Sequence, residues 1–103
     1  MATPTPRPVT RALTTTGEHL RRWRLLRGLQ VGEVADRAGV SVSTVSRLES
    51  GQGASVENLL RVLRALGVMD QMVQALDPLT TDVGRLRAQE QLPKRVRRPR
   101  EPS

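Results

Sequence analysis

Four glycines divide the middle of this chain into short segments, and their spacing limits the fold more than any other feature of the sequence. Each glycine follows a segment whose apolar residues recur at helical spacing. Glycine readily takes the left-handed conformation that ends a helix, so each marks a predicted helix end. No segment shows the alternation typical of strands. The four are Gly28, Gly39, Gly51 and Gly67.

The segments between these glycines predict an all-α fold of five short helices within residues 17–77. Residues 1–16 are rich in Thr and Pro and predict a disordered N-terminal arm. Residues 78–103 predict a linker and a basic C-terminal tail, with a short helix begun at Thr81 and ended by Pro93. The broadest apolar face is expected on the fourth helix, which Ser55 caps, and comprises Val56, Leu59, Leu60, Leu63 and Leu66.

Composition narrows the class of protein further. The chain has 103 residues, no cysteine, one Trp and neither Phe nor Tyr, so one small domain with an aliphatic core is expected. Without cysteine there is no disulfide framework and no thiolate metal site. No apolar run reaches the ~18 residues of a membrane span, and the N-terminus lacks the apolar core of a signal peptide. We therefore expect a cytoplasmic protein with no cofactor and no metal.

The net charge of +7 indicates a polyanionic partner. Residues 17–76 carry eight arginines and six acids, so most of the excess positive charge lies in the two ends of the chain. If the partner is nucleic acid, the ends are expected to add phosphate affinity. Selectivity must then come from the body of the domain.

The stretch "GVSVSTVSRLESG" predicts a polar helix over residues 41–50 that is capped by Ser41 and supported by Thr44. With the preceding helix and the "AGVS" turn it has helix-turn-helix geometry, which places such a helix in a DNA major groove. Val45 and Leu48 are expected to face inward. Arg47 can donate two hydrogen bonds to guanine, and an apolar side chain can contact a thymine methyl. The expected DNA-binding residues are Ser41, Val42, Ser43, Thr44, Ser46 and Arg47, with Ser50 and Gln52 as candidate phosphate ligands.

Residues 17–68 resemble the Xre family of lambda repressor/Cro-type helix-turn-helix proteins. The resemblance is carried by "LRRWR…RGL", "VADRAGVS", "STVSRLESG" and "SVENLLRVLRALG". It implies a compact five-helix lambda-repressor-like domain that binds double-stranded DNA as a homodimer. It also implies a structural pair between Arg24 and Glu49. It further implies that Val31 belongs to the DNA-binding residues, because a phosphate-binding Gln is common at that position. The chain departs from the family there and at Val42, where Gln or Arg is common.

These features favour a sequence-specific transcriptional regulator, a dimeric repressor of its own operon that is associated with the nucleoid. The expected dimer seam comprises Met69, Met72, Val73 and Leu76. A looser resemblance, over the last helix and the tail, is to HipB-like antitoxins encoded beside HipA-like toxin kinases, which Leu25, Leu26 or the tail would then engage. A non-specific architectural protein is a third hypothesis. No catalytic residues are expected, because no nucleophile–base pair or phosphate loop is found.

Overall fold

The computed structural model describes residues 3–96, with residues 92–96 described by their backbone alone. This part of the chain is all-α, as predicted, and its six α-helices are the five expected before residue 78 and the short helix expected after Thr81. A single 3-10 turn, Pro78–Thr80, precedes the last helix. The chain divides into two compact units after Met69. The helices are α1 (Arg7–Leu26), α2 (Val31–Ala38), α3 (Val42–Glu49), α4 (Val56–Leu66), α5 (Met69–Ala75) and α6 (Asp82–Val96).

The first unit has an aliphatic core contributed by α1 to α4 and the turns that follow α1 and α4. Every buried side chain among the described residues is apolar. The predicted face of α4 needs one correction, because Val62 is fully buried whereas Val56 is exposed. Val56 is the first residue of α4, one turn before the part that packs on the core. The core comprises Leu20, Leu29, Val34, Ala35, Ala38, Val45, Leu48, Val62, Leu63, Leu66 and Val68.

Helix α1 begins ten residues earlier than the sequence suggested, so residues 7–16 are helical where a disordered arm was expected. Pro6 precedes the helix and Pro8 lies in its first turn. A proline is tolerated there because the first N–H groups of a helix have no partner within it. The Pro6 carbonyl accepts hydrogen bonds from the N–H groups of Val9 and Thr10, at 3.0 and 3.1 Å.

The early part of α1 lies close to residues far along the chain, and a Cβ added at Gly51 would lie 3.0 Å from the Cα of Thr14. Val9 and Leu13 line an apolar groove of about 210 Å³ together with Leu48 and Leu59. At Gly17 the two backbones approach closely, and a Cβ added there would lie 2.6 Å from the Glu49 carbonyl oxygen and closer still to that of Leu48. Helix α1 thus crosses directly over the C-terminal end of α3.

The second unit begins at Asp70 and contains the rest of α5, the 3-10 turn and α6. Its last helix starts as predicted, since the Thr81 hydroxyl accepts a hydrogen bond from the Gly84 N–H at 2.9 Å. The helix then continues past Pro93, the expected end, to Val96; a proline removes one N–H and can leave a helix unbroken. None of the helices in the described part of the chain is long and apolar enough to cross a membrane. Residues 1, 2 and 97–103, at the ends of the expected arm and tail, lie outside the described residues.

Candidate nucleic-acid interface

A three-residue turn, 39–41, joins α2 to α3. Gly39 has φ +70° and ends α2 in the left-handed conformation. The N–H of Gly39 donates to the Asp36 carbonyl at 3.3 Å, and the N–H of Val40 donates to the Ala35 carbonyl at 3.1 Å. These two bonds satisfy the last carbonyls of α2 and fix the direction in which the chain leaves it. The corner is therefore set before α3 begins.

Ser41 caps α3 as the sequence predicts. Its hydroxyl oxygen accepts from the backbone N–H of Thr44 at 3.0 Å, and the Ser41 and Thr44 hydroxyls lie 2.9 Å apart. One of the two hydroxyl protons is used in the bond between them, which leaves one proton for an outside acceptor. Thr44 is half-buried. Both residues thus build the start of the helix and retain a single donor between them.

The outer face of α3 carries the four side chains that were expected to face a groove. Val45 and Leu48 are buried on the opposite face, as predicted, because they recur at helical spacing. Small side chains on the outer face allow the α3 backbone to approach another surface closely, and the guanidinium supplies a two-pronged donor. All four are exposed: Val42, Ser43, Ser46 and Arg47.

The turn after α3 offers fewer hydrogen-bond donors for a phosphate than the sequence suggested. The Ser50 hydroxyl donates to the Ser46 carbonyl at 2.8 Å, so its proton is already engaged and its oxygen is left as an acceptor, which a phosphate cannot use. Gln52 has an exposed side chain that lines the groove beside α1, and its backbone N–H donates to the Arg47 carbonyl at 2.8 Å. Of these two residues, only Gln52 keeps free side-chain donors among the described contacts.

An ion pair joins α1 to the end of α3. Arg24 Nε lies 2.7 Å from Glu49 Oε2, and Arg24 Nη2 lies 3.0 Å from Glu49 Oε1. Arg24 Nη1 also donates to the Leu29 carbonyl at 3.0 Å. The hydrogen bond to Glu49 raises the pKa of Arg24 above its usual value; burial opposes this rise and the charge of the carboxylate adds to it. The pair therefore holds the helices together, as the family resemblance implied.

At the start of α2 the amide side chain lies one residue earlier than in the family pattern. Val31 is the first residue of α2 and is half-buried, with no side-chain donor to offer. Gln30, one residue earlier, has an exposed side chain, and its backbone N–H donates to Glu33 Oε1 at 2.8 Å. Gln30 was not among the predicted phosphate ligands, because the family commonly has its Gln one residue later, at the position of Val31. The sequence feature that could have identified Gln30 is its position, since its amide side chain comes immediately before the first residue of α2.

The part of the chain that contains α2, the corner and α3 matches a known protein family. The helix-turn-helix family model matches residues 20–68, from within α1 to the second residue after α4. The match includes the corner at Gly39 and all of α3, and it leaves Arg7–His19, α5 and α6 outside. Neither the curated proteins nor the solved structures gave a match to this chain. No cluster of metal-ligating side chains occurs among the described residues.

Proposed function

We propose that this chain, which belongs to the Xre/lambda-repressor-like helix-turn-helix family through residues 20–68, is a sequence-specific repressor of its own operon. The family match by itself indicates a DNA-binding transcription regulator. The observation that carries the proposal is the exposed face of α3. Four exposed side chains of suitable size and chemistry lie opposite two buried ones, directly after a fixed corner. Such a helix enters the major groove.

Arg47 and Val42 are the proposed base-reading residues. Arg47 donates a pair of hydrogen bonds to O6 and N7 of one guanine, a contact that contributes about 1–3 kcal/mol of discrimination. Val42, at the first turn of α3, contacts the methyl group of a thymine. Ser43 and Ser46 allow close approach and discriminate weakly, because a hydroxyl both donates and accepts.

Contacts to the DNA backbone are proposed around this face. The free hydroxyl proton of the Ser41–Thr44 pair and the amides of Gln30 and Gln52 are suitable donors to phosphate oxygens. Arg7 and Arg11, exposed in the first turns of α1, add sequence-independent attraction. Such contacts orient the domain on the duplex but carry no sequence information themselves.

A single α3 reads only a few base pairs, so the proposed repressor is a two-fold dimer that reads half-sites one helical turn apart, at about 34 Å. The apolar residues of α5 and of the turn after it support dimerisation. In α5, which has no buried residue, Val73 is exposed and Met69 and Met72 are half-buried, and Leu76 just after the helix is exposed. Apolar side chains in this arrangement are typical of an association surface.

Binding of the full-length protein to DNA from upstream of its own gene tests this function. At about 150 mM salt, phosphate-only binding is weak, with Kd near 10⁻⁴–10⁻⁶ M. We expect the upstream duplex to bind at least about 10³ times more tightly than a scrambled duplex of equal length. Arg47→Ala should abolish most of this preference, whereas Arg64→Ala, which removes an exposed arginine from α4, should preserve it. Equal affinity for both duplexes would instead favour a non-specific architectural protein.

A second candidate function is the antitoxin subunit of a toxin–antitoxin pair that neutralises a HipA-like kinase. The exposed Leu25 and Leu26 at the end of α1 favour a protein partner. Co-expression with a kinase encoded beside this gene, followed by co-purification and a kinase assay, tests it. A stable complex with suppressed kinase activity supports this function, and separate elution of two active proteins contradicts it.

A further inference from the structure

The C-terminal half of α1 carries an apolar hollow on its outer side. Its four lining residues stand at positions i, i+3, i+4 and i+7 and so share one face of the helix. They enclose about 200 Å³. This is smaller than the roughly 300–1,000 Å³ typical of small-molecule pockets and suits a single side chain. The lining residues are His19, Arg22, Trp23 and Leu26.

Trp23 is the only aromatic residue of the chain, yet it lies at this surface and not in the core. The guanidinium of Arg27 lies over its ring, 5.3 Å from the ring centre. Arg27 is fixed in turn, because its Nε donates to the Leu66 carbonyl at 3.0 Å. The ring is therefore held in one orientation before any partner binds, which lowers the entropic cost of binding.

The edges of the hollow determine which partner fits it. Leu26 is 71% exposed and forms an apolar wall, while Arg22 adds a positive charge. Tryptophan and arginine are the residues most often found at the energetic centre of protein interfaces. A complementary partner presents an apolar side chain next to a carboxylate.

The second unit of this chain has those properties. Of the three acids between residues 70 and 83, Asp82 pairs with Arg85, which also donates to the Leu79 carbonyl, whereas Asp77 forms no ion pair among the described residues. Asp77 stands between Leu76 and Leu79, which are 74% and 49% exposed. The Asp77 carboxylate is positioned by one oxygen, Oδ1, which accepts from the Leu79 N–H at 2.9 Å.

We propose that the α1 hollow of one copy receives the Leu76–Leu79 segment of a second copy. An exposed leucine packs against Trp23, and the Asp77 carboxylate pairs with Arg22. In a two-fold dimer each of these contacts forms twice, since each copy supplies both surfaces. The inference rests on the proposed dimeric regulator and specifies how its two copies are joined.

Charge exchange between two variants tests this contact in full-length protein without DNA. Arg22→Glu and Asp77→Arg should each weaken dimerisation about tenfold or more, because each places like charges together twice. An equimolar mixture should restore it, since both contacts of the mixed dimer again join opposite charges. Sedimentation measures the association, and the emission of Trp23 should shift to shorter wavelength as its ring is covered. A contact within one chain would not be restored by mixing.

Two further comparisons keep the result interpretable. Asp77→Arg also removes the acceptor for the Leu79 N–H, so Arg22→Gln and Asp77→Asn form a second pair that keeps an acceptor at position 77. Their effects on dimerisation should be non-additive in the double variant. Leu26→Ser should weaken dimerisation, whereas Leu25→Ser should not, because Leu25 is turned about 100° around α1 from its neighbour.

Three outcomes would overturn the inference. The first is a wild-type protein that stays monomeric at all concentrations, and the second is a pair of single variants that dimerise normally. The third is a loss of dimerisation that mixing does not restore, which would assign the hollow to a different partner. Specific operator binding that depends on Arg47 is measured separately. If that binding persists while the charge exchange fails, the mode of dimerisation is wrong and the proposed function still stands.

Discussion

The guanidinium of Arg24 and the carboxylate of Glu49 form a two-point ion pair between α1 and the last residue of α3, with side chains only 11% and 12% exposed. Arg24 also bonds the Leu29 carbonyl in the turn before α2. One side chain thus ties together both helices and the turn that precedes the helix-turn-helix corner. The pair fixes the end of α3 opposite to its capped start.

Removal of one partner from this pair is expected to be costly. Glu49→Gln should lower the free energy of unfolding by about 2 kcal/mol, since it leaves a largely buried guanidinium without its counter-charge. Urea unfolding followed by circular dichroism measures the change. Glu57→Gln is the matched control, because the Glu57–Arg61 pair is exposed and should contribute less than about 0.5 kcal/mol. Equal losses in the two variants would contradict the structural role of Glu49.

The close approach at Gly17 predicts opposite effects for two Gly→Ala substitutions. Gly17→Ala should destabilise the protein by about 2 kcal/mol or more, because the new methyl group meets backbone carbonyls of α3 that cannot move aside. Gly32→Ala lies inside α2 with no neighbouring atom near its added Cβ, and should stabilise by up to about 1 kcal/mol. Thermal unfolding distinguishes them. Similar shifts of Tm in one direction would show that α1 does not cross α3 as described.

The cap of α3 provides a smaller, local prediction. Ser41→Ala should cost about 1 kcal/mol, because the N–H of Thr44 loses its acceptor. Ser43→Ala, two residues further on the exposed face, should change stability by less than about 0.5 kcal/mol. Denaturant unfolding at neutral pH provides the comparison. If Ser43→Ala proved the more harmful, the N-cap would be misassigned.

Val42 predicts a dependence of binding on thymine methyl groups. Replacing the contacted thymine of the operator by deoxyuridine should weaken wild-type binding a few-fold, since about one methyl group of apolar contact, near 0.8 kcal/mol, is lost. The Val42→Ala variant should bind both duplexes with more nearly equal affinity. Fluorescence anisotropy with labelled duplexes resolves such differences. A full-sized methyl effect that persists in Val42→Ala would place another side chain on that base.

The sequence predicts the helix-turn-helix core well because its signals are local. The spacing of Val45 and Leu48 determined which face of α3 is exposed, and Ser41 and Gly39 marked its boundaries. The start of α1 escaped prediction for a physical reason. Val9 and Leu13 are too sparse to indicate a helix alone. They lie beside Leu48 and Leu59 along an apolar groove, and these two residues are far along the chain.

The same limit applies to the hollow on the outer side of α1. Periodicity identified the apolar residues of α5, but it cannot reveal that Trp23 is turned outward and clamped by Arg27. That arrangement depends on the Leu66 carbonyl at the end of α4, 39 residues away. Resemblance to a family was needed to anticipate the Arg24–Glu49 pair, because no local pattern links residues so distant in sequence.

The crossing of α1 over α3 at Gly17 also determines what can be exchanged between regulators of this type. Transplanting Val42, Ser43, Ser46 and Arg47 into another domain would transfer the proposed base-contacting side chains without the angle at which α3 is held against α1. That angle depends on a backbone contact that starts outside the matched family region. A hybrid that is to keep the orientation of α3 therefore needs α1 from before Gly17, and it also needs α4, whose Val62 and Leu66 complete the shared core.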